Sequence, residues 1–163
     1  MRQTVWTPAS DAAAARLAAL LQWYGTLSPS TLPRLAEYYR SDARFKDPFN
    51  DVQGLAAIAG IFEHMFATTQ TPCFVIRDAL SGAGRAYVLW DFDFGWRGRR
   101  YRIRGTSRLE LDDTGLVVEH RDYWDAAEEL WQKLPLIGGP VAWLRRRFSA
   151  AAARSSAAAR TPG

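Results

Sequence analysis

The chain has 163 residues, 48% hydrophobic and 23% charged, a balance that supplies a sizeable core for one domain and argues against a second. Its formal charge of +4 and pI near 9.6 come mainly from arginines gathered over 97–108 and 145–160, with no recognisable nucleic-acid motif beside them, so no nucleic-acid partner is expected. The single cysteine, Cys73, excludes an internal disulfide and a zinc cluster, and no apolar run reaches the roughly 18–20 residues of a membrane span, so a soluble cytoplasmic chain is expected.

Residues 1–9 read as a lead-in. Ser10 then stands as a capping residue before D-A-A-A-A-R-L-A-A-L-L-Q-W-Y, a run of strong helix formers. Leu17, Leu20, Leu21 and Tyr24 recur at helical spacing and mark the buried face, with the Tyr24 phenol at the last turn able to donate one hydrogen bond inward. After Gly25–Ser30, T-L-P-R-L-A-E-Y-Y-R predicts a short second helix with Pro33 in its first turn.

The segment R-F-K-D-P-F-N, Arg44 to Asn50, follows. Pro48 disfavours the α region at Asp47 and gives this carboxylate an extended or turning backbone. Phe45 and Phe49 are expected to anchor the segment in the core, which would leave Asp47 in an apolar setting suited to a general base. The competing reading is that Asp47 only caps a turn, as an aspartate before proline often does.

D-V-Q-G breaks the chain before a third helix, whose stripe is Leu55, Ile58, Ile61, Phe62, Met65 and Phe66, with His64 on its rim. From Pro72 the period becomes two, the signature of sheet. A first strand is predicted over about Cys73–Ala79. A second, Y-V-L-W-D-F-D-F-G-W, sets Val88, Trp90, Phe92, Phe94 and Trp96 against Tyr87, Leu89, Asp91 and Asp93. In the third, Tyr101, Ile103, Gly105, Ser107, Leu109 and Leu111 face one way, and Gly105 suggests a bend or bulge. The arginines opposite, Arg102, Arg104 and Arg108, read as a solvated outer face or an interface paired with Glu110 and Glu119. D-D-T-G turns the chain into a last strand on which Leu116, Val118, His120, Asp122 and Trp124 are expected to share the inner face.

A fourth short helix is predicted over 126–134, ending the domain that begins at residue 10. The segment 135–149 contains V-A-W-L-R-R-R-F, apolar on one side and basic on the other, which suits packing on the sheet or, as the lesser reading, contact with a membrane surface. The Ala/Arg/Ser tail over 150–163 has no apolar face and reads as disordered.

Helices followed by strands predict an α+β plan. The W-Y pair ending helix one, S-D-A-R-F-K-D-P-F-N, the Gly-led third helix and L-D-D-T-G-L-V-V-E-H-R-D-Y-W together resemble the SnoaL-like, ketosteroid-isomerase-like branch of the nuclear transport factor 2-like superfamily, over roughly 10–130. The resemblance implies a cone-shaped, curved antiparallel sheet with the N-terminal helices across its concave face, an apolar pocket, and in many members a homodimer formed through the sheet. It implies that Asp47 matches the proton-shuttling base and Tyr24 the oxyanion-hole tyrosine, while Ser107 falls where that family carries a protonated aspartate. Asp122 lies near the acid/base aspartate of the cyclases, with His120 two residues earlier able to tune it or relay a proton.

Two readings of Asp122 stay open: an acid/base group, or an ion pair with an arginine such as Arg104. The pocket is expected to draw on Trp90, Phe92, Ser107, Trp124, Phe49 and Phe62 and to take a small apolar molecule. No Gly-rich phosphate loop, metal cluster or nucleophile elbow is present in the sequence, so the expected chemistry is cofactor-free isomerisation, cyclisation or hydration. The alternative is a non-catalytic ligand-binding or dimerisation module whose pocket is filled by its own tryptophans.

Overall fold

In the computed structural model, which describes residues 11–126, helix α1 (Asp11–Gly25) leads through a 3-10 turn (Leu32–Arg34) into the single-turn α2 (Leu35–Tyr38). Strand β1 (Tyr39–Lys46), the short β2 (Asp51–Gln53) and α3 (Leu55–Thr68) follow, and then four strands run in succession: β3 (Gln70–Gly82), β4 (Arg85–Trp96), β5 (Arg99–Leu111) and β6 (Val117–Tyr123). They form one six-stranded sheet in the order β2-β1-β6-β5-β4-β3. The expected sheet is antiparallel, but it closes as a mixed one, because β1 lies parallel to β6 while every other pair is antiparallel. The chain between β1 and β6, through β2, α3 and β3 to β5, supplies the long crossover that a parallel pair needs.

The core is the inner face of this sheet and the apolar faces of α1 and α3. Leu17, Leu20, Trp23 and Tyr24 are buried from α1, and Ile58 and Phe62 from α3. From the sheet come Tyr39, Ala43, Phe45, Val88, Trp90, Ile103, Leu109 and Val117. The two long hairpins are closed by two-residue turns, Ala83-Gly84 and Arg97-Gly98, all four residues with φ between 48° and 75°. That pairing of left-handed residues matches the twist of the flanking strands.

Three expectations change here. The second helix stops at Tyr38, so Tyr39 opens a strand instead of ending a helix. D-P-F-N is the tip of the β1–β2 hairpin: the Asp47 amide donates to the Asn50 carbonyl, and Asp47 Oδ1 accepts from the Phe49 and Asn50 amides at 2.7 and 2.6 Å. Phe49 therefore lies at the surface, 55% exposed, and only Phe45 anchors the segment. Finally, β6 carries an extra residue: Glu110 pairs with Glu119 but Leu111 pairs with Val117. The bulge puts Val117, not Val118, on the inner face, while His120 and Ser107 remain inward. The predicted segments 135–149 and 150–163, and all but the first residue of the fourth helix, lie outside the described residues.

On the outer face, Asp91 and Asp93 are paired with arginines. Arg77 and Arg102 contact Asp91 at 2.7 and 3.6 Å, and Arg102 meets Asp93 at 2.6 Å. Arg108 bridges Glu110 and Glu119 at 3.0 Å each.

Because the Asp47 carboxylate holds two turn amides and the Asn50 side chain, Asp47→Ala is expected to destabilise the fold by about 1–2 kcal/mol. Asp47→Asn, which keeps an acceptor in place, is expected to lose less. Equal urea midpoints for Asp47→Ala and the parent would contradict this account of the turn.

Candidate functional site

Inside the apolar concave face runs a continuous chain of polar side chains. It begins at Tyr24, near the end of α1, whose hydroxyl contacts that of Tyr39 at the start of β1. The Tyr39 hydroxyl lies 2.5 Å from His120 Nδ1, and that of Tyr24 lies 3.1 Å from the same nitrogen. On the other side of the ring, His120 Nε2 is 2.7 Å from Asp122 Oδ1 and 3.1 Å from Ser107 Oγ. Ser107 Oγ is 2.5 Å from the same carboxylate oxygen, and the Trp90 indole nitrogen donates to Ser107 at 2.8 Å.

Local structure explains each placement. Ser107 and Asp122 are register partners across β5 and β6, so their side chains rise together. His120 and Asp122 are two apart on one strand and share its inner face. Tyr39 pairs with Val117 and Phe45 with His120 in the parallel β1–β6 ladder, which brings the start of β1 under the imidazole. The Phe45 ring centroid is 4.8 Å from that of His120. Packing against β3 and β1 then seats α1 and α3 over the chain.

The proton assignment follows from the partners. An imidazole nitrogen facing a carboxylate oxygen at 2.7 Å carries the hydrogen, so Nε2–H donates to Asp122 and Nδ1 accepts from the Tyr39 hydroxyl. Tyr24 in turn donates to Tyr39. Burial holds the Tyr24 phenol on its proton well above its ordinary value, and the neighbouring Tyr39, to which it donates, pushes in the same direction, as does Asp122. Tyr39 is also raised, again chiefly by burial, with Asp122 adding to it and the hydrogen bond from Tyr24 working against it. Both phenols are thereby kept as neutral donors.

A cavity of about 30 Å³ opens beside this chain, room for roughly two water molecules at about 10–15 Å³ each. Its polar lining is Tyr24, Ser107, His120 and Asp122, and its walls include Phe45, Phe62, Phe74 and Trp90. Of the residues expected at the site, Tyr24, His120, Asp122, Ser107, Trp90 and Phe62 come together here. Phe92 stands one layer back, stacked on Phe74 with centroids 4.6 Å apart. Phe49 and Trp124 do not line the cavity and pack edge-on against each other instead. Asp47 is not among the lining residues and its carboxylate is engaged in its own turn. Asp122 does not take the arginine offered for an ion pair: Arg104 reaches toward Asp91 on the outer face.

Sequence reasoning missed Tyr39, Phe74 and Ile76. The last two could have been found by following the two-residue alternation of β3 through to a pocket wall. Tyr39 offered no such signal, because its inward direction depends on where α2 stops and on its parallel pairing. Among the described residues no three His, Cys, Asp or Glu side chains converge as metal ligands.

The model of the SnoaL-like domain family matches residues 20–120. No curated protein matches the chain. Among solved structures, it is similar to a proposed SnoaL-like polyketide cyclase from Jannaschia sp., with a TM-score of 0.64 and 14% identity over 75% of this chain and 93% of that one. A similar nuclear transport factor 2-like protein of unknown function from Burkholderia pseudomallei gives 0.64 and 14%, covering 73% and 95%. A hypothetical protein from Catenulispora acidiphila with a ketosteroid-isomerase-like fold, in complex with trimethylamine, gives 0.58 and 17%, covering 75% and 92%. At identities this low the likeness shows a shared fold alone.

The raised phenols carry a stability consequence. Below their unfolded value near 10 both states hold the proton, so the contribution is intact there. Above it the unfolded chain releases protons that the folded chain keeps, and stability falls as pH rises. Tyr39→Phe is expected to flatten this alkaline loss by up to about 1.4 kcal/mol per pH unit. The check is the urea midpoint between pH 9 and 11.5, and parallel profiles for variant and parent would refute the burial of an un-ionised Tyr39.

Proposed function

The chain belongs to the SnoaL-like family, and from that premise we propose that its concave site is a cofactor-free proton-transfer centre acting on a small, largely apolar carbonyl compound. The observation that carries this reading is the Asp122 carboxylate: half-buried, with 14% side-chain exposure, hydrogen-bonded through Oδ1 to His120 and Ser107, and lining an apolar cavity.

With Oδ1 taken by two donors, Oδ2 is the atom available to a ligand. It removes a proton from a carbon next to the carbonyl; the C–H electron pair moves into the new enolate, and the negative charge settles on oxygen. Tyr24, which lines the same cavity, turns its hydroxyl from Tyr39 toward that oxygen and stabilises it. Asp122 then returns the proton to carbon, at the same or a conjugated position, so that no co-reactant is consumed. His120 and Ser107 do not touch the ligand's reacting atoms; they hold the carboxylate and supply positive dipoles to it. Asp47, committed to its turn, has no part in the reaction.

A second reading rests on the cavity volume of about 30 Å³. With Trp90 and Phe74 filling so much of the concave face, the chain would be a binding or dimerisation module. The strip of Leu80, Tyr87 and Leu89 on the outer face, 62%, 38% and 46% exposed, would then receive a second copy.

Deuterium wash-in separates the two. The protein is incubated in D₂O with a panel of small ketones and enones, and exchange of their α-hydrogens is followed by NMR. Exchange above buffer is expected for at least one compound, falling by about 10²–10⁴-fold in Asp122→Asn and unchanged in Asp47→Asn. Exchange that survives Asp122→Asn, or that never exceeds buffer, overturns the catalytic reading.

A further inference from the structure

Trp90 and Gly105 face each other directly across β4 and β5. A Cβ added at Gly105 would lie 2.4 Å from the Trp90 Cη2 atom and 2.5 Å from Cζ2. The glycine is therefore not the bend or bulge that its place in a strand suggests, since the β4–β5 register runs unbroken from Arg85 to Trp96. It is the floor on which the indole lies flat. Lying there, the ring reaches past its own partner to the next inward position of β5, and its Nε1 meets Ser107 Oγ at 2.8 Å.

The polarity of that contact matters more than its strength. An indole N–H can only donate. His120 Nε2, which carries its hydrogen toward Asp122, also approaches Ser107 as a donor. With donors on both other sides, the serine hydroxyl has one acceptor left for its own hydrogen, Asp122 Oδ1 at 2.5 Å. We propose that Trp90, seated on Gly105, is a positioning residue for Asp122: by donating to Ser107 it forces the serine proton onto Oδ1 and so fixes which carboxylate oxygen is left to face the cavity. The catalytic consequence rests on the acid/base reading of Asp122, whereas the positioning itself does not.

The test is therefore made on the free protein, without a substrate. Asp122 χ1 populations from side-chain NMR couplings are compared in the parent, Trp90→Phe, Ser107→Ala and the double variant. One dominant rotamer is expected in the parent and a mixture in each single variant, with at least a twofold drop in the major population. The double variant is expected to be no worse than Ser107→Ala alone, because Trp90 acts through the serine. A further drop in the double variant, or no change in Trp90→Phe, overturns the proposal.

Gly105→Ala offers an independent approach. Carbon atoms pack best at about 3.5–4.0 Å, so the indole must retreat by about 1 Å, and the same rotamer mixture is expected with Trp90 and Ser107 both present. Should these variants not fold, the parent itself still decides. The Trp90 indole N–H must be protected from hydrogen exchange and show a nuclear Overhauser contact to the Ser107 side chain, and an indole proton exchanging at the rate of an exposed tryptophan refutes the bond. If rotamer control holds but deuterium wash-in fails, only the catalytic reading falls. If wash-in depends on Asp122 while Trp90→Phe leaves its rotamer alone, only the positioning role falls.

Discussion

A carboxylate inside an aromatic cavity is the constraint around which the concave face is arranged. Removed from water, the ionised Asp122 would be costly without donors, and a few ångströms of side chain provide them: the His120 imidazole and the Ser107 hydroxyl both converge on Oδ1. Each donor then needs satisfying in its turn. His120 does so through Tyr39 and Tyr24, and Ser107 through Trp90. One half-buried carboxylate is thus tied, directly or through a partner, to five further residues spread over α1, β1, β4, β5 and β6. Networks of this kind are favourable only when every member is paired, and among the described residues the lone buried side-chain atom without a partner, Arg108 Nε, belongs to the outer-face arginine cluster instead.

The backbone irregularities of the sheet serve the same end. The extra residue in β6 lets Val117 fill the core while His120 and Asp122 still point inward, a combination that strict alternation forbids. In β1, Tyr39 keeps the inward side of Ala43 and Phe45, and the register shift between Tyr39 and Arg44 lets it pair with Val117. Gly105 gives up a side chain so that Trp90 can occupy its space. The close fit that results accounts for the small cavity: aromatic rings packed against the polar chain take up much of the concave face.

Asp47 illustrates how a motif can mislead. A carboxylate before proline and between two phenylalanines carries the composition of a buried base, yet the same residues are those of a hairpin tip, with aspartate at the first position and proline at the second. Which reading holds depends on whether Phe49 finds a core partner, and it does not: it meets Trp124 at the surface. Asp122, on the last strand, has a less distinctive local sequence but lines the cavity.

The sequence by itself determined the order of the helices and of the four long strands, the α+β class, the buried stripes of α1 and α3, and the inward faces of β4 and β5, but not β1 and β2, because periods of 3.6 and 2 are local properties that only a segment long enough to repeat them expresses. It also placed Tyr24, His120, Asp122 and Ser107 on inward faces, while their candidate roles came from the family resemblance. Only the tertiary structure decided that Asp47 stands apart, that Tyr39 completes the chain, and that Gly105 makes way for Trp90. Those outcomes rest on the parallel β1–β6 pairing, on bulges that reset the period, and on contacts between residues up to 96 positions apart. No local pattern encodes them, since the contacts that decide them join strands that meet only once the sheet has formed.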